Sequence, residues 1–319
     1  MAPLRLAALT LALTATWFDP AFGFTAAPGA LLRTRASVAA ACSTRGHVQL
    51  RMADPPAYNS HPCSVVRNEE IAPGSRLIRL KAEDAGIVDG YLPGHVLALE
   101  LLTDPGGVEA QNNEGKHGNG MKGPYTVTRA DWETGTVDVV FRVIQGGRLS
   151  ERLARVSRGT KMNLGGRFKV PIEQGIAKDA ELVVGVSTGV GLGPLLGFAE
   201  RELEATDRRI ALFAGFRDAQ DMLFEEEFEA LQDEYPGRLS FTACISTFRD
   251  ERYPPPPGFD GLRGRVTHAV PRALEPEAVA SAHFHLIGNG AMVNTFKAGL
   301  AAAGVPDARV TLENYFNHR

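Results

Sequence analysis

The first half of the chain carries six short runs rich in apolar, β-favouring residues, separated by turn residues. They are Cys63 to Val66, Leu77 to Lys81, Val96 to Leu102, Tyr125 to Thr128, Val137 to Val143 and Lys161 to Leu164. Runs of this length, bounded by turn residues, predict β-strands, and six of them predict a small antiparallel barrel. Between Asp104 and Gly123 lies GVEAQNNEGKHGNG, too poor in apolar residues to pack, which reads as a surface loop. After Gly175 the rhythm changes. Apolar runs at Glu181 to Val186, Ile210 to Ala214, Leu239 to Ile245, His283 to Ile287 and Arg309 to Leu312 alternate with helical patterns. That alternation predicts a parallel five-stranded, Rossmann-like sheet with crossover helices. Met222, Phe224, Phe228 and Leu231 mark one helix among acidic residues, and Pro254 to Pro257 mark a stiff loop after the third strand.

Composition bounds the chemistry. The 319 residues, 44% hydrophobic and 22% charged, suit two globular domains, and no stretch past the N-terminus is long and apolar enough to span a membrane. The three cysteines, Cys42, Cys63 and Cys244, are widely spaced, so neither a disulfide framework nor a metal cluster is indicated. Redox chemistry therefore needs a borrowed cofactor.

Residues 1–52 read as an address. Arg5 precedes an apolar run from Leu6 to Trp17, followed by Ala21 and Gly23, as in a secretory signal. From Pro20 to Met52 there is no acid, while Arg33, Arg35, Arg45 and Arg51 stand among small and hydroxyl residues, as in a transit peptide. The pair, with Phe24 opening the second part, resembles the bipartite leader of plastids of secondary endosymbiotic origin, which implies plastid localisation; plain secretion is the alternative. The expected division is a leader over 1–52, a barrel domain over 53–176 and an α/β domain over 177–319. Without the leader's five Arg and one Asp the net charge moves from -3 to about -7, which argues against nucleic acid as a partner.

Val184 to Leu196, VGVSTGVGLGPLL, carries an apolar strand through glycines into a helix. Glycines there let the backbone approach a phosphate, and the amides of the helix start face the anion. Six segments in order now carry a resemblance: Tyr91-Leu92-Pro93-Gly94-His95, Gly123-Pro124-Tyr125-Thr126, Gly147-Arg148-Leu149-Ser150, Gly189-Val190-Gly191-Leu192-Gly193-Pro194, Gly288-Asn289-Gly290-Ala291-Met292 and Glu313-Asn314-Tyr315. Together with Gly215-Phe216-Arg217 they are similar to the motifs of the ferredoxin-NADP reductase superfamily, from about Cys63 to Tyr315.

That resemblance implies an FAD-binding barrel followed by an NAD(P)-binding domain, and an oxidoreductase passing electrons between NADP(H) and a one-electron carrier. It implies that Tyr125 packs on the flavin, that Thr126 bonds its hydride-accepting nitrogen, and that Gly147, Arg148, Leu149 and Ser150 hold its pyrophosphate. Gly189, Val190, Gly191, Leu192, Pro194, Gly288 and Met292 take the nicotinamide nucleotide. Arg217, Ser246 and Arg249, with Arg252 nearby, follow strands where the adenosine 2'-phosphate is read, which favours NADPH. Glu313 is similar to the catalytic-site acid and Tyr315 to the aromatic covering the second flavin face, giving Thr126, Glu313 and Tyr315 as catalytic residues. Two positions depart from the family. Gly123 stands where an arginine contacts the pyrophosphate, with Lys122 as its expected substitute, and Ile287 stands where a cysteine aligns the rings.

Seven basic residues between Arg148 and Lys169 face one acid, Glu151. Arg148, Arg152 and Arg155 at helical spacing suggest a basic face, opposite Leu149, Leu153 and Val156, for docking an acidic ferredoxin or flavodoxin. No metal site is expected, and His283 and His285 read as one buried and one exposed imidazole. Two other functions remain open: an NADH-dependent reductase of the cytochrome b type or diaphorase, and a catalytically weak nucleotide-sensing or tethering module.

Overall fold

The structure, a computed structural model, describes residues 59–102, 121–274 and 276–315. The leader expected over 1–52, most of the polar segment after Asp104, and Cys42 lie outside them. Six strands close a barrel in the order β1-β2-β5-β4-β3-β6: β1 (Ser60–Ala72), β2 (Ser75–Ala82), β3 (Val96–Leu101), β4 (Met121–Asp131), β5 (Thr136–Arg142) and β6 (Lys161–Gly165). Every pairing is antiparallel, and closure leaves no open edge. Alternate residues point inward, so Val65, Ile78, Leu80, Leu97, Leu99, Val127, Val137, Val139, Met162 and Leu164 meet in one core.

The six-stranded barrel and the parallel sheet both stand where the hydrophobic pattern put them. The sheet order is β10-β9-β8-β7-β11-β12, built from β7 (Leu182–Thr188), β8 (Arg209–Phe216), β9 (Leu239–Ile245), β10 (Leu262–Arg263), β11 (His283–Asn289) and β12 (Val310–Tyr315). Neighbours are parallel throughout. The edge strand β10 is a sixth that the sequence does not announce, because two residues are too few to show a period. Helices α1 (Ser150–Leu153) and α2 (Ile172–Gly175) are single turns beside the barrel. Longer helices flank the sheet: α3 (Leu192–Ala205) and α4 (Glu225–Glu234) share one core with Val183, while α5 (Val266–Ala273) and α7 (Gly290–Ala302) share another with Val184. Between α5 and β11 runs α6 (Pro276–Ser281). Both faces are covered, so β7 and β11 read as continuous apolar runs.

The halves meet where α3 crosses β4. A Cβ on Gly197 would stand 1.9 Å from the Thr128 carbonyl oxygen, and one on Gly193 would stand 2.8 Å from its Oγ1. Only glycine lets helix and strand come so close. Arg129 on β4 clasps Glu200 on α3 with both sides of its guanidinium, Nε donating at 2.7 Å. The motif around Tyr91 braces the same junction: Gly94 has φ +90, Leu92 N–H donates to His95 Nδ1 at 2.9 Å, and Ile172 N–H donates to the Pro93 carbonyl at 3.0 Å.

Among the described residues no helix is long and apolar enough to cross a membrane. Both cysteines there, Cys63 and Cys244, are fully buried, and burial pushes each thiol up to about 12, which leaves them inert.

Candidate active site

Chain order reverses between β7, flanked by β8, and β11, so a crevice opens at the carboxyl ends of these strands. There β7 runs into a single turn, Gly189–Gly191, and then α3. Gly189 takes φ +52. A Cβ on Gly191 would lie 2.9 Å from the Ile287 carbonyl oxygen, and one on Gly288 (φ +127) would lie 2.4 Å from Thr188 Oγ1. The Gly189–Gly191 turn and the end of β11 are therefore locked together. Asn289 then caps α7, its side-chain oxygen accepting from the amides of Ala291 and Met292 at 2.9 and 3.3 Å.

A cleft of about 550 Å³ adjoins this turn, lined by both halves. The barrel contributes Tyr125 and Thr126 from β4, Phe141 and Arg142 from β5, and the turn Gly147 to Ser150. The sheet contributes Val190, Glu313, Asn314 and Tyr315. At its centre the Thr126 hydroxyl donates to Glu313 Oε1 at 2.6 Å, across 187 residues of sequence. Both are nearly buried, at 8% and 5% exposure. Burial raises the Glu313 carboxyl above the ordinary carboxylate range, opposed by the Thr126 bond and by the charge of Lys169. Burial also raises the phenols of Tyr125 and Tyr315, and Glu313 adds to the effect at Tyr315. Both tyrosines are therefore neutral rings over a wide pH range. Tyr125 is held edge-on against Phe141, with centroids 5.8 Å apart.

The cleft gathers Tyr125, Thr126, Gly147, Arg148, Leu149, Ser150, Val190, Glu313 and Tyr315. The other expected residues stand apart from it. Gly189, Gly191, Leu192, Pro194, Gly288 and Met292 form the adjoining strand-end crevice. Arg217, Ser246 and Arg249 come together where β8 and β9 end, the Thr247 hydroxyl donating to the Arg217 carbonyl at 2.9 Å. Arg217 Nε lies 3.7 Å from its neighbour Asp218, and Arg252 is paired to Asp250. Lys122 does not line the cleft; it sits on β4 opposite Glu100.

Three basic residues do line it: Arg142, Arg148 and Lys169. Arg142 and Lys169 escape the motif reading, one as the last residue of a strand and the other in the irregular link between the halves. Beside Gly123 the space is taken by Leu149, whose Cδ2 would lie 2.9 Å from a Cβ there. The basic helix is also shorter than its spacing suggests. Only Ser150–Leu153 is helical, although Leu149, Leu153 and Val156 are buried as expected, and Arg152 folds back to donate to the Arg148 carbonyl at 2.6 Å.

His283 and His285 are both buried, at 0% and 6% exposure. Residues two apart in a strand share a face, which corrects the expectation of one exposed ring. Both bond Thr311 Oγ1 at 2.9 Å, from His283 Nε2 and His285 Nδ1. Burial first, and neighbouring basic groups second, lower them to about 4 and about 3.

Residues 186–298 match the family described as "Oxidoreductase NAD-binding domain". Over these residues, about a third of the chain, it is similar to that NAD-binding domain. Among curated relatives it is 26% identical over 157 residues to the NADH-cytochrome b5 reductase 2 of Aspergillus niger, covering 48% of this chain and 46% of that one. The chain thus spans about half the length of that relative. With the NADH-cytochrome b5 reductase 2-A of Vanderwaltozyma polyspora it shares 22% over 73% of this chain and 72% of that one. The fold is that of a ferredoxin NADP+ reductase from Neisseria gonorrhoeae with bound FAD and NADP (TM-score 0.62, 18% identity, 81% of this chain and 99% of that one). It is also that of the cytochrome b5 reductase domain of Ulva prolifera nitrate reductase (TM-score 0.61, 17% identity, 80% and 97%).

A two-domain, flavin- and nicotinamide-binding architecture fits the residues present. Tyr125 and Tyr315 both line a largely apolar cleft, which suits a flat ring. The basic edge of Arg142, Arg148 and Lys169 suits a pyrophosphate. The turn at Gly147 is a tight cradle, since a Cβ there would stand 2.6 Å from Ser150 Oγ and 2.7 Å from the Ile144 carbonyl.

Proposed function

We propose that this chain is an FAD-dependent reductase of the cytochrome b reductase type, taking hydride from NADH and handing electrons singly to a protein acceptor. The observation that carries the reading is the contact of Thr126 with Glu313, which brings the barrel's flavin motif and the sheet's final strand together beside the nucleotide turn. The curated relatives named above are called NADH-cytochrome b5 reductases, which favours a haem protein as acceptor over the ferredoxin or flavodoxin expected from sequence motifs. NADH in place of NADPH is supported by Asp218, whose carboxylate beside Arg217 opposes a 2'-phosphate.

Bound FAD supplies the exchange between a two-electron hydride and single electrons. The side chains place and protect it. Tyr125 and Tyr315 bound its ring, and Arg142, Arg148 and the Gly147 turn hold its phosphates. The crevice of Gly189, Val190, Gly191, Leu192 and Pro194, with Gly288 and Met292 opposite, takes the nicotinamide nucleotide. Thr126 Oγ1 orients the reacting edge, and the Glu313 carboxyl, whose affinity for a proton burial raises, lies beside it to exchange the reaction's proton. The exposed Arg148 and Arg155 form the basic edge of the barrel half, where an acidic acceptor docks. Residues 53–176 then serve the flavin and 177–319 the nucleotide, behind a plastid-targeting leader.

Steady-state reduction of cytochrome b5, ferredoxin and ferricyanide with each nucleotide tests the reading. The expected result is NADH-driven reduction of ferricyanide and cytochrome b5, with charge reversal at Arg155 slowing only the protein acceptor. Failure to reduce any acceptor with either nucleotide contradicts it and favours a sensing module.

A further inference from the structure

Between β9 and β10 the chain makes an exposed excursion that the site described above does not use. Its two ends are pinned. At the near end the Asp250 N–H donates to the Thr247 carbonyl at 3.1 Å and the Tyr253 N–H to the Asp250 carbonyl at 2.9 Å. The Arg252 guanidinium closes on the Asp250 carboxylate there, Nε donating at 3.0 Å. At the far end Phe259 packs edge-on against Phe248, with centroids 5.1 Å apart. The Phe259 ring lies so close over Gly261 that a Cβ there would stand 2.3 Å from it. Between the pins runs Tyr253-Pro254-Pro255-Pro256-Pro257.

Proline chemistry alone fixes the shape of this run. Each pyrrolidine ring holds φ at about -65°, and every residue from Tyr253 to Pro256 precedes a proline, which disfavours the α region and leaves ψ extended. With its peptide bonds trans, the run is a left-handed polyproline II helix of about three residues per turn and about 15 Å in length. Burial follows that period. Pro255 is half-buried, whereas Tyr253 with Pro256, and Pro254 with Pro257, form two exposed ridges. Tyr253 is 57% exposed. The prolines have no N–H to donate, and among the described residues the carbonyls of Tyr253, Pro254 and Pro255 accept no backbone hydrogen bond, while that of Pro256 takes the Phe259 N–H at 3.2 Å.

We propose that Tyr253–Pro257 is a docking segment for a partner protein whose groove is walled by aromatic side chains, the kind of groove that receives polyproline helices. Two apolar ridges with a three-residue repeat suit the clefts between upright aromatic rings. The bare carbonyls suit the indole N–H and phenol O–H donors that such walls carry. A segment already stiff in its bound shape loses little conformational entropy on docking, so a small contact suffices. Other occupants fit less well. A partner adding a β-strand needs N–H groups along the edge, and four successive prolines offer none. A mere stop signal between β9 and β10 needs a single proline and no exposed aromatic ring. The segment takes no part in lining the cleft of Thr126 and Glu313, so the inference stands independently of the proposed function.

Isothermal titration calorimetry of the full chain against three purified probes, an EVH1, an SH3 and a WW domain, tests the proposal. The expected result is saturable binding to at least one of them with Kd below about 1 mM. Tyr253→Ala and Pro256→Ala each strip the same ridge, and each should weaken that binding at least about tenfold. Both positions are exposed, so the variants should unfold at the temperature of the unmodified protein. The same probe with its groove tryptophan replaced by alanine should not bind. Absence of saturable binding to all three probes overturns the proposal, as does binding that either variant or the groove substitution leaves unchanged.

Discussion

Thr126 and Glu313 are 187 residues apart in sequence and 2.6 Å apart in space, and their bond joins a barrel hydroxyl to a sheet carboxylate inside the cleft. The hydroxyl has a single proton, so its direction decides what Glu313 can accept and what Thr126 can offer to a bound ring. Thr126→Val keeps the shape and removes the donor. We expect kcat for ferricyanide reduction to fall about 10²-fold while flavin content stays near that of the unmodified protein. Unchanged kcat would leave the pair structural.

Gly197 sets the distance between the halves. Gly197→Ala places a Cβ where the Thr128 carbonyl oxygen stands, so α3 must withdraw from β4. The nucleotide turn at the start of α3 moves with it, away from Thr126. Overpacking of this kind costs about 1–3 kcal/mol, and a shift of about 1 Å at a reacting centre lowers rates about 10²-fold. Calorimetry and single-turnover kinetics check both; loss of stability with an unaltered hydride-transfer rate refutes the positioning role.

Acid should weaken the fold through the paired imidazoles. His283 and His285 are lowered from 6.5 to about 4 and about 3, so the folded state binds fewer protons than the unfolded one. Their contribution is fully present above pH 6.5 and is lost as pH falls towards 4 and 3. Denaturant midpoints taken between pH 7 and pH 4 should decline, and less steeply in His285→Leu. Parallel slopes in the two proteins would remove the imidazoles from the account.

The fold was legible because its two periods differ. β9 matches its apolar run from Leu239 to Ile245 to the residue, and the switch from barrel to parallel sheet follows the change in rhythm after Gly175. β1 runs well beyond Cys63 to Val66, because two register shifts, at Val65/Arg67 and Glu70/Ala72, break the alternation through its polar middle. The site was legible wherever glycine, proline and aromatic residues mark a tight turn. Arg142 and Lys169 were not, because no local pattern tells which charged residue at a strand end or in an irregular link faces a cleft. The imidazole pair was misread through the phase of the strand, not through its chemistry.

Nucleotide choice turns on the ends of β8 and β9. Asp218 lies against Arg217, and the Arg249 guanidinium is exposed beyond Ser246. We expect kcat/KM to favour NADH, and Asp218→Ser to raise kcat/KM for NADPH about tenfold by removing a like charge, with NADH little altered. A native preference for NADPH that collapses in Arg217→Ala and Arg249→Ala would restore the reading those arginines suggest in the sequence.

The most direct measurement is the absorbance spectrum of the purified protein, recorded anaerobically before and after addition of one equivalent of NADH. The account predicts flavin bands in the protein as isolated or after loading with FAD, bleached by NADH and restored by ferricyanide, with flavin retention falling in Ser150→Asp. A protein that retains no flavin after loading, or whose bound flavin stays oxidised with both NADH and NADPH, contradicts it.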